Sequence, residues 1–144
     1  MFMTNMPSKL ALVALIGVVT PATAADGLPP AYECVFEQGN SWSFDAGKFV
    51  SKPPSKLIFE VTDIDLEKQT AVLNIDSKQA GTLRVVRALN ANSFLEVANE
   101  GFLNLTTVYD LDTASGTYPA VHSRHFGVFG QPVVAQYVGS CKGK

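Results

Sequence analysis

The chain has 144 residues, the size of one ordinary domain, so we expect a single core. It carries 11 Lys and Arg against 13 Asp and Glu, a formal net charge of −2, and these charges are scattered along the sequence. No basic face is expected that could bind phosphates, and we expect no nucleic-acid partner.

The first 24 residues are typical of a cleavable secretory signal. Lys9 gives a positive start, residues 10–19 form an apolar run, and Ala22-Thr23-Ala24 supplies the small-residue exit. The run is about half of the roughly 20 residues that a permanent membrane helix needs. We therefore predict a signal peptide at 1–24, a single domain at 25–144, export to the periplasm or beyond, and no stable membrane anchor.

Two cysteines are present, Cys34 and Cys141. In an exported chain an even pair of cysteines is typical of a disulfide. By the chain-entropy model, a crosslink across a loop of this length stabilises the fold by roughly 4 to 5 kcal/mol. The alternative is two reduced cysteines in a cytosolic chain, which would require that the N-terminal segment is not a signal.

The first predicted strand is followed by an irregular segment. Residues 39–56 are rich in Gly, Ser and Pro, and they can hold a short strand at Trp42 and Phe44 before Pro53-Pro54 interrupts any ladder. The apolar residues that share one face of the first strand are Tyr32, Cys34 and Phe36.

Two hairpins and three further strands are predicted next. The segments "KLIFEVTDI" and "QTAVLNID" alternate between apolar and polar residues and are separated by the charged turn "DLEK" at 65–68. The segments "TLRVVRAL" and "SFLEVA" form a second pair across "NANS". The last strands are predicted in "FLNLTTVYDL", "TYPAVHS" and "PVVAQYVGSC".

About eight short strands with tight turns predict an all-β fold. We expect one antiparallel meander that closes into a small barrel, or alternatively a sandwich. In a closed meander the first and last strands are neighbours, so Cys34 and Cys141 can come within disulfide distance.

The segment "HSRH" contains the only two histidines of the chain. In an extended strand His122 and Arg124 lie on one face, and Ser123 and His125 lie on the other. A hydrolytic triad needs serine and histidine in contact, and no nucleophile-elbow sequence is present. We therefore expect no catalytic residues and no enzymatic activity. No Gly-rich phosphate loop is present either, so no cofactor is expected.

Zinc is disfavoured at the same segment. Two histidines supply at most two ligands, and a third would have to come from a distant carboxylate such as Asp110 or Asp112. We expect instead that the strand ends near Arg124 and that its polar side chains anchor the following loop or contact a partner. The planar fork of Arg124 suits a carboxylate, with a structural salt bridge as the simplest outcome.

Aromatic side chains recur in "FGVFGQP" at 126–132. Exposed rings at Phe126 and Phe129 would form an adhesive patch, which monomers rarely carry. Burial is the more common state of large rings, so we expect that they fold back to plug one end of the barrel.

The turn "TASGTY" at 113–118 presents Ser115, Gly116 and Tyr118. It resembles the Ser-Gly loop of the periplasmic inhibitors of C-type lysozyme, which are small disulfide-bearing antiparallel barrels. The resemblance implies that Ser115 and Tyr118 offer hydroxyl groups to the catalytic carboxyls of a lysozyme, which would be a basic protein partner.

Two functions remain open. The first is a protein-binding module, in its sharpest form a lysozyme inhibitor, that uses the turn at 112–118 or the loop at 122–131. The second is a lipocalin-like carrier of a small apolar ligand. An interior filled by side chains such as Leu57 and Phe59 excludes a guest, whereas a carrier needs a cavity of about 300 Å³ or more. The carrier would have its mouth lined by Trp42, Phe44, Phe126 and Phe129.

Overall fold

A computed structural model describes residues 27–98 and 101–144, and the predicted signal at 1–24 lies outside the described residues. The described chain forms β-strands and turns, with no helix in either range. The strands are β1 (Tyr32–Asp45), β2 (Lys48–Lys52), β3 (Leu57–Asp65), β4 (Thr70–Ile75), β5 (Lys78–Arg87), β6 (Ala91–Ala98), β7 (Phe102–Tyr109), β8 (Tyr118–Val128) and β9 (Gln131–Gly143).

The predicted closed barrel is confirmed. Each of the strands β3 to β8 pairs antiparallel with the next, β1 pairs with β3, and the additional pairing of β1 with β9 closes the sheet. Strand β2 is an extra strand that pairs with the second half of β1. Closure satisfies the strand edges that an open sheet or a sandwich would leave unpaired.

The predicted disulfide is also confirmed, because Cys34 and Cys141 are bonded to each other. They lie opposite one another in the register of β1 and β9, and both side chains are fully buried. The bond therefore joins the first and last strands of the barrel where the sheet closes.

Alternation along the strands builds the core as the sequence predicts. On β3, Phe59 and Val61 point inward, and Ala71 and Leu73 meet them from β4. The predicted turn at 65–68 is stabilised by the Asp65 carboxylate, which accepts the Lys68 backbone N–H at 2.8 Å. The other buried apolar side chains are Tyr32, Cys34, Phe36, Leu83, Val85, Ala91, Phe94, Val108, Ala120, Ala135, Tyr137 and Cys141.

A bulge in β1 reverses the inward pattern in the second half of that strand. The register with β9 shifts between Phe36 and Gln38. One extra residue moves every later side chain to the opposite face. Ser41 and Ser43 consequently face the inner side, and Trp42 and Phe44 lie on the other face. The expectation that these two rings line the mouth of the barrel is therefore wrong.

Glycine is required on both sides of this bulge. A Cβ on Gly39 would lie 2.2 Å from the backbone oxygen of Gln136, and a Cβ on Gly139 would lie 2.1 Å from that of Val35. Neither neighbour can move without breaking the ladder, so only glycine lets β1 and β9 approach here.

Strand β8 is longer than the sequence predicted. It continues past Arg124 to Val128 and pairs with β9 as far as Val128 opposite Gln131. The expectation that the strand ends near Arg124 and anchors a loop is wrong, because residues 125–128 find ladder partners on β9.

The tip of this hairpin is a two-residue turn, Phe129-Gly130, in which both φ values are positive, 50° and 79°. Such a turn matches the twist of a hairpin but leaves no chain with which to fold back. Phe129 is fully exposed at the tip, so it does not plug the barrel.

Candidate functional site at the barrel mouth

The two ends of the barrel differ. At one end, the buried ring of Tyr32 packs edge to face against Tyr118 at 5.1 Å and Phe94 at 6.2 Å. This burial raises the pKa of the Tyr32 hydroxyl to about 12, with the nearby Tyr118 as the second cause. The opposite end, which we call the mouth, contains a cavity of about 210 Å³. Its apolar lining includes Leu57, Phe59, Leu73, Leu83, Phe94 and Phe102.

A row of three polar side chains, which we call the polar row, crosses this cavity on neighbouring strands. Glu96 on β6 lies opposite Asn104 on β7, and Asn104 lies opposite Arg124 on β8. All three residues line the cavity. Asn104 Nδ2 donates a hydrogen bond of 2.6 Å to Glu96 Oε2.

Two atoms of the polar row lack partners. Within the described chain, Asn104 Oδ1 and Arg124 Nε are buried and make no hydrogen bond. Buried polar atoms are normally satisfied, and each specific exception needs a physical explanation. Here the unsatisfied acceptor and the unsatisfied donor lie on adjacent strands beside empty space, so both remain available to a guest.

Below the polar row, His122 lies among aromatic rings. Its ring centroid is 5.4 Å from that of Phe59 and 5.6 Å from those of Phe36 and Tyr137, and Nδ1 is 2.8 Å from Thr106 Oγ1. Burial lowers the pKa of His122 to about 4, and the positive charge of Arg124 adds to the shift. The imidazole is therefore neutral near pH 7.

The predicted alternation in "HSRH" holds, since His122 is buried inside the barrel and His125 is exposed. The two imidazoles lie on opposite faces of β8, and they do not converge on a common metal ion. Residues 27–98 and 101–144 contain no group of three or more His, Cys, Asp or Glu side chains that could hold a metal ion.

A second space adjoins the mouth on the far side of Arg124. This groove has a volume of about 500 Å³ and lies between the β2–β3 connection and the inner face of β8 and β9. Ser41, Ser43, Ser55, Lys52 and Arg124 supply its polar lining. The Arg124 side chain lines both the cavity and the groove, and it therefore marks the boundary between them.

Aromatic rings form part of the rim. Phe126 follows Arg124 on the same face of β8 and stacks on Phe102 of β7 at a centroid distance of 5.3 Å. The Arg124 guanidinium carbon lies 5.9 Å from the centre of the Phe126 ring, within the range of a cation–π contact. Phe126 therefore contributes to the site, whereas Phe129 extends away from it into solvent.

The turn that carries Ser115 and Gly116 lies at the opposite end of the barrel from the mouth. Its exposed residues are held by internal hydrogen bonds, since the Asp112 carboxylate accepts the Ser115 backbone N–H at 3.1 Å. The Ser115 hydroxyl lies 2.9 Å from that of Thr117. Hydrogen bonds from the Ser115 hydroxyl and from the backbone N–H groups of Ser115 and Ala114 lower the pKa of the Asp112 carboxyl. Tyr118 is half-buried, with its ring packed edge to face against Tyr32.

Of the residues singled out from the sequence, the structure brings His122, Arg124 and Phe126 together at the mouth. Glu96 and Asn104 were missed, although a signal for them was present. Counting by twos from Phe94 along β6 reaches Glu96, and counting from Phe102 along β7 reaches Asn104. Charged or amide side chains at inward positions of a barrel mark either a satisfied network or a binding site.

Comparisons with known proteins do not identify the chain. The sequence matches no protein-family model, and no curated protein or solved structure is significantly similar to it.

Proposed function

We propose that this protein binds a small amphipathic molecule in the mouth of its barrel and acts as a carrier or receptor for it. The observation that carries the proposal is the polar row within an apolar cavity, because two of its buried atoms have no partner in the described chain. Ligand sites combine mostly apolar walls with a few convergent polar groups in this way. The lining does hold one hydroxyl beside an imidazole, Thr106 Oγ1 at 2.8 Å from His122 Nδ1, but both residues are buried and no described carboxylate contacts the imidazole, so we favour binding over catalysis.

A guest would need more room than the cavity alone provides. The cavity of about 210 Å³ is smaller than the roughly 300 Å³ that a carrier needs, so the proposal requires the guest to extend beyond it. Because Arg124 also lines the groove of about 500 Å³, a guest can occupy both spaces and pass beside the guanidinium. The aromatic stack of Phe126 on Phe102 would cover one side of such a molecule.

We further propose that the protein works in the periplasm or outside the cell. The disulfide between the two chain-terminal strands supports this compartment, since such bonds persist in oxidising environments and are rare in the cytosol. The described residues contain no helix that is long and apolar enough to cross a membrane.

Carriage can be tested by native mass spectrometry of protein purified without denaturation from the cells that produce it. We expect a bound small molecule that is lost on denaturation. Ala98 lines the cavity and Val97, its neighbour on β6, is exposed on the outer face. The variant Ala98→Trp should lose the molecule by filling the mouth, and Val97→Trp should retain it. A wild-type protein that carries no small molecule would contradict carriage.

A second candidate is inhibition of a C-type lysozyme through the turn at 112–117. One observation favours it: this turn is both exposed and internally bonded, so little conformational entropy is lost when it binds. The slightly acidic chain also suits a basic partner. The half-buried Tyr118 ring, packed against Tyr32, has a limited surface left to contact a partner, so the candidate rests on Ser115 and Gly116.

The inhibitor candidate predicts that a micromolar excess of the protein slows the lysis of cells by a C-type lysozyme. Asp112→Ala should weaken the inhibition about tenfold or less, because the turn loses its internal acceptor. Asp45→Ala removes an exposed carboxylate at the β1–β2 turn, away from residues 112–117, and serves as the matched control. An undiminished rate of lysis would exclude this candidate.

A further inference from the structure

The charge of Arg124 limits the chemistry of the molecule that the mouth binds. We infer that the ligand is an amphipathic carboxylate, whose carboxylate group pairs with Arg124 on the groove side while its apolar chain enters the barrel cavity. This inference rests on the proposed binding function and adds the chemical class of the ligand to it.

The first argument is the unpaired charge. A guanidinium stays protonated in proteins. Arg124 makes no ion pair with any described residue, and its Nε is buried without an acceptor. The Phe126 ring contacts the guanidinium face but accepts no ordinary hydrogen bond from its edge. Arg124 is partly exposed but its Nε is fully buried, and buried parts of a charged group are normally paired, so an anion is the partner that we expect at this position.

Glu96 does not fill this role, although it belongs to the same polar row. Asn104 stands between them on β7, so Glu96 and Arg124 are two strand spacings apart, about 10 Å across the sheet. Glu96 instead accepts the amide of Asn104 at 2.6 Å. A guest anion is therefore expected on the side of Arg124 that faces away from Glu96.

That side is the groove, and its lining suits an anion. Lys52 provides a second positive charge, and Ser41, Ser43 and Ser55 provide hydroxyl donors. Among the described residues that line the groove there is no Asp or Glu. The planar fork of arginine can bind both oxygens of one carboxylate, which a lysine or a hydroxyl group cannot do alone.

The other side of Arg124 suits an apolar chain. The cavity walls there are mainly Leu and Phe side chains, the Glu96 carboxylate is hydrogen-bonded to Asn104, and the deeper His122 is neutral near pH 7. Its volume of about 210 Å³ accommodates a chain of medium length more readily than a long lipid chain. Arg124 therefore separates the groove, which would hold the carboxylate of the ligand, from the cavity, which would hold its apolar chain.

Isothermal titration of the delipidated protein with decanoate and with decanol at pH 7.5 tests the inference. The two probes share a chain and differ in the head group. We expect decanoate to bind at least about tenfold more tightly, the usual scale for a charge-assisted pair. Equal affinities would overturn the carboxylate inference and leave the proposed binding function standing. Binding of neither probe would remove the proposed function itself.

Variants locate the head group. Arg124→Gln should lose about tenfold or more in decanoate affinity and keep its affinity for decanol, which also demonstrates that the variant is folded. Arg84 lies exposed on the outer side of β5, so Arg84→Gln is the matched control and should bind both probes normally. Full decanoate affinity in Arg124→Gln would overturn the inference.

Lys52→Gln gives an independent test, because Lys52 lies on the exposed strand β2 and its loss should not affect folding. We expect a loss of about twofold to fivefold in decanoate affinity, since exposed ion pairs are weak. If Arg124→Gln binds neither probe, the result for Lys52→Gln decides. An unchanged affinity for decanoate would then overturn the placement of the carboxylate in the groove.

Discussion

Replacing Cys34 and Cys141 together by alanine should lower the free energy of unfolding by about 4 to 5 kcal/mol. The two residues are 107 positions apart, so the bond removes a large part of the chain entropy of the unfolded state. For a domain of this size the loss corresponds to a fall of very roughly 15 to 20 °C in Tm. Urea titration at pH 7 measures the first quantity, and calorimetry measures the second.

Wild-type protein in a reductant supplies a direct control, because it loses the crosslink without any substitution. Its stability should fall to about that of the double variant. Ser140→Ala changes the residue beside Cys141 on β9, is only partly buried, and should stay within about 0.5 kcal/mol of wild type. A double variant as stable as the oxidised protein would mean that the unfolded chain is already compact, contrary to the entropy argument.

Acidification should destabilise the protein through His122, and this effect is the second largest that we expect. The pKa of His122 is about 4 in the folded protein, against an ordinary value of 6.5. Between these two values the unfolded chain binds a proton that the folded chain does not. The free energy of unfolding therefore falls by about 3 kcal/mol in total as the pH drops from 6.5 to 4. Outside that window, His122 makes no further contribution to the pH dependence.

The measurement is the free energy of unfolding in urea at several pH values from 7 to 4. Other groups titrate in the same range, so the informative quantity is the difference between wild type and His122→Asn, in which the titration is absent. That difference should change by about 3 kcal/mol across the window. His125→Asn removes the exposed imidazole of the same strand and should follow the wild-type curve. Parallel curves for wild type and His122→Asn would contradict the assignment.

Closure of the barrel and its crosslink could be predicted from the sequence, because they depend on alternation and on the cysteine positions. Tyr32, Cys34 and Phe36 alternate without interruption before the bulge, and this pattern alone places Cys34 on the inner face. The same counting placed His122 and Arg124 together on β8. Such patterns are local, and the burial of one sheet face enforces them.

The second half of β1 could not be predicted in the same way. The bulge after Phe36 depends on a close approach to β9, which is about 100 residues away in the chain, so no local pattern announces it. Because of the bulge, Ser41 faces the inner side of the barrel, where unbroken alternation would have placed Trp42. The predicted end of β8 was wrong for a related reason. Residues 125–128 continue the strand because they pair with β9, and their own alternation does not indicate this.

The polar row could be predicted only in part from the sequence. Each member sits at a position that alternation assigns to the interior, but whether Glu96 and Arg124 would meet depends on the strand between them. The register places Asn104 there, and this single amide keeps the two charges apart. A relation among three strands of this kind follows only from the closed sheet.

The disulfide lies toward the pole of the molecule that carries Tyr32 and Tyr118, away from the cavity. Around the opening, the described strands are joined by hydrogen bonds and side-chain packing alone. Local opening of that rim can therefore occur without straining the covalent link, since protein segments fluctuate independently of the most stable part. Under the proposed function, the covalent link and the entry point of the ligand would therefore lie at opposite ends of the barrel.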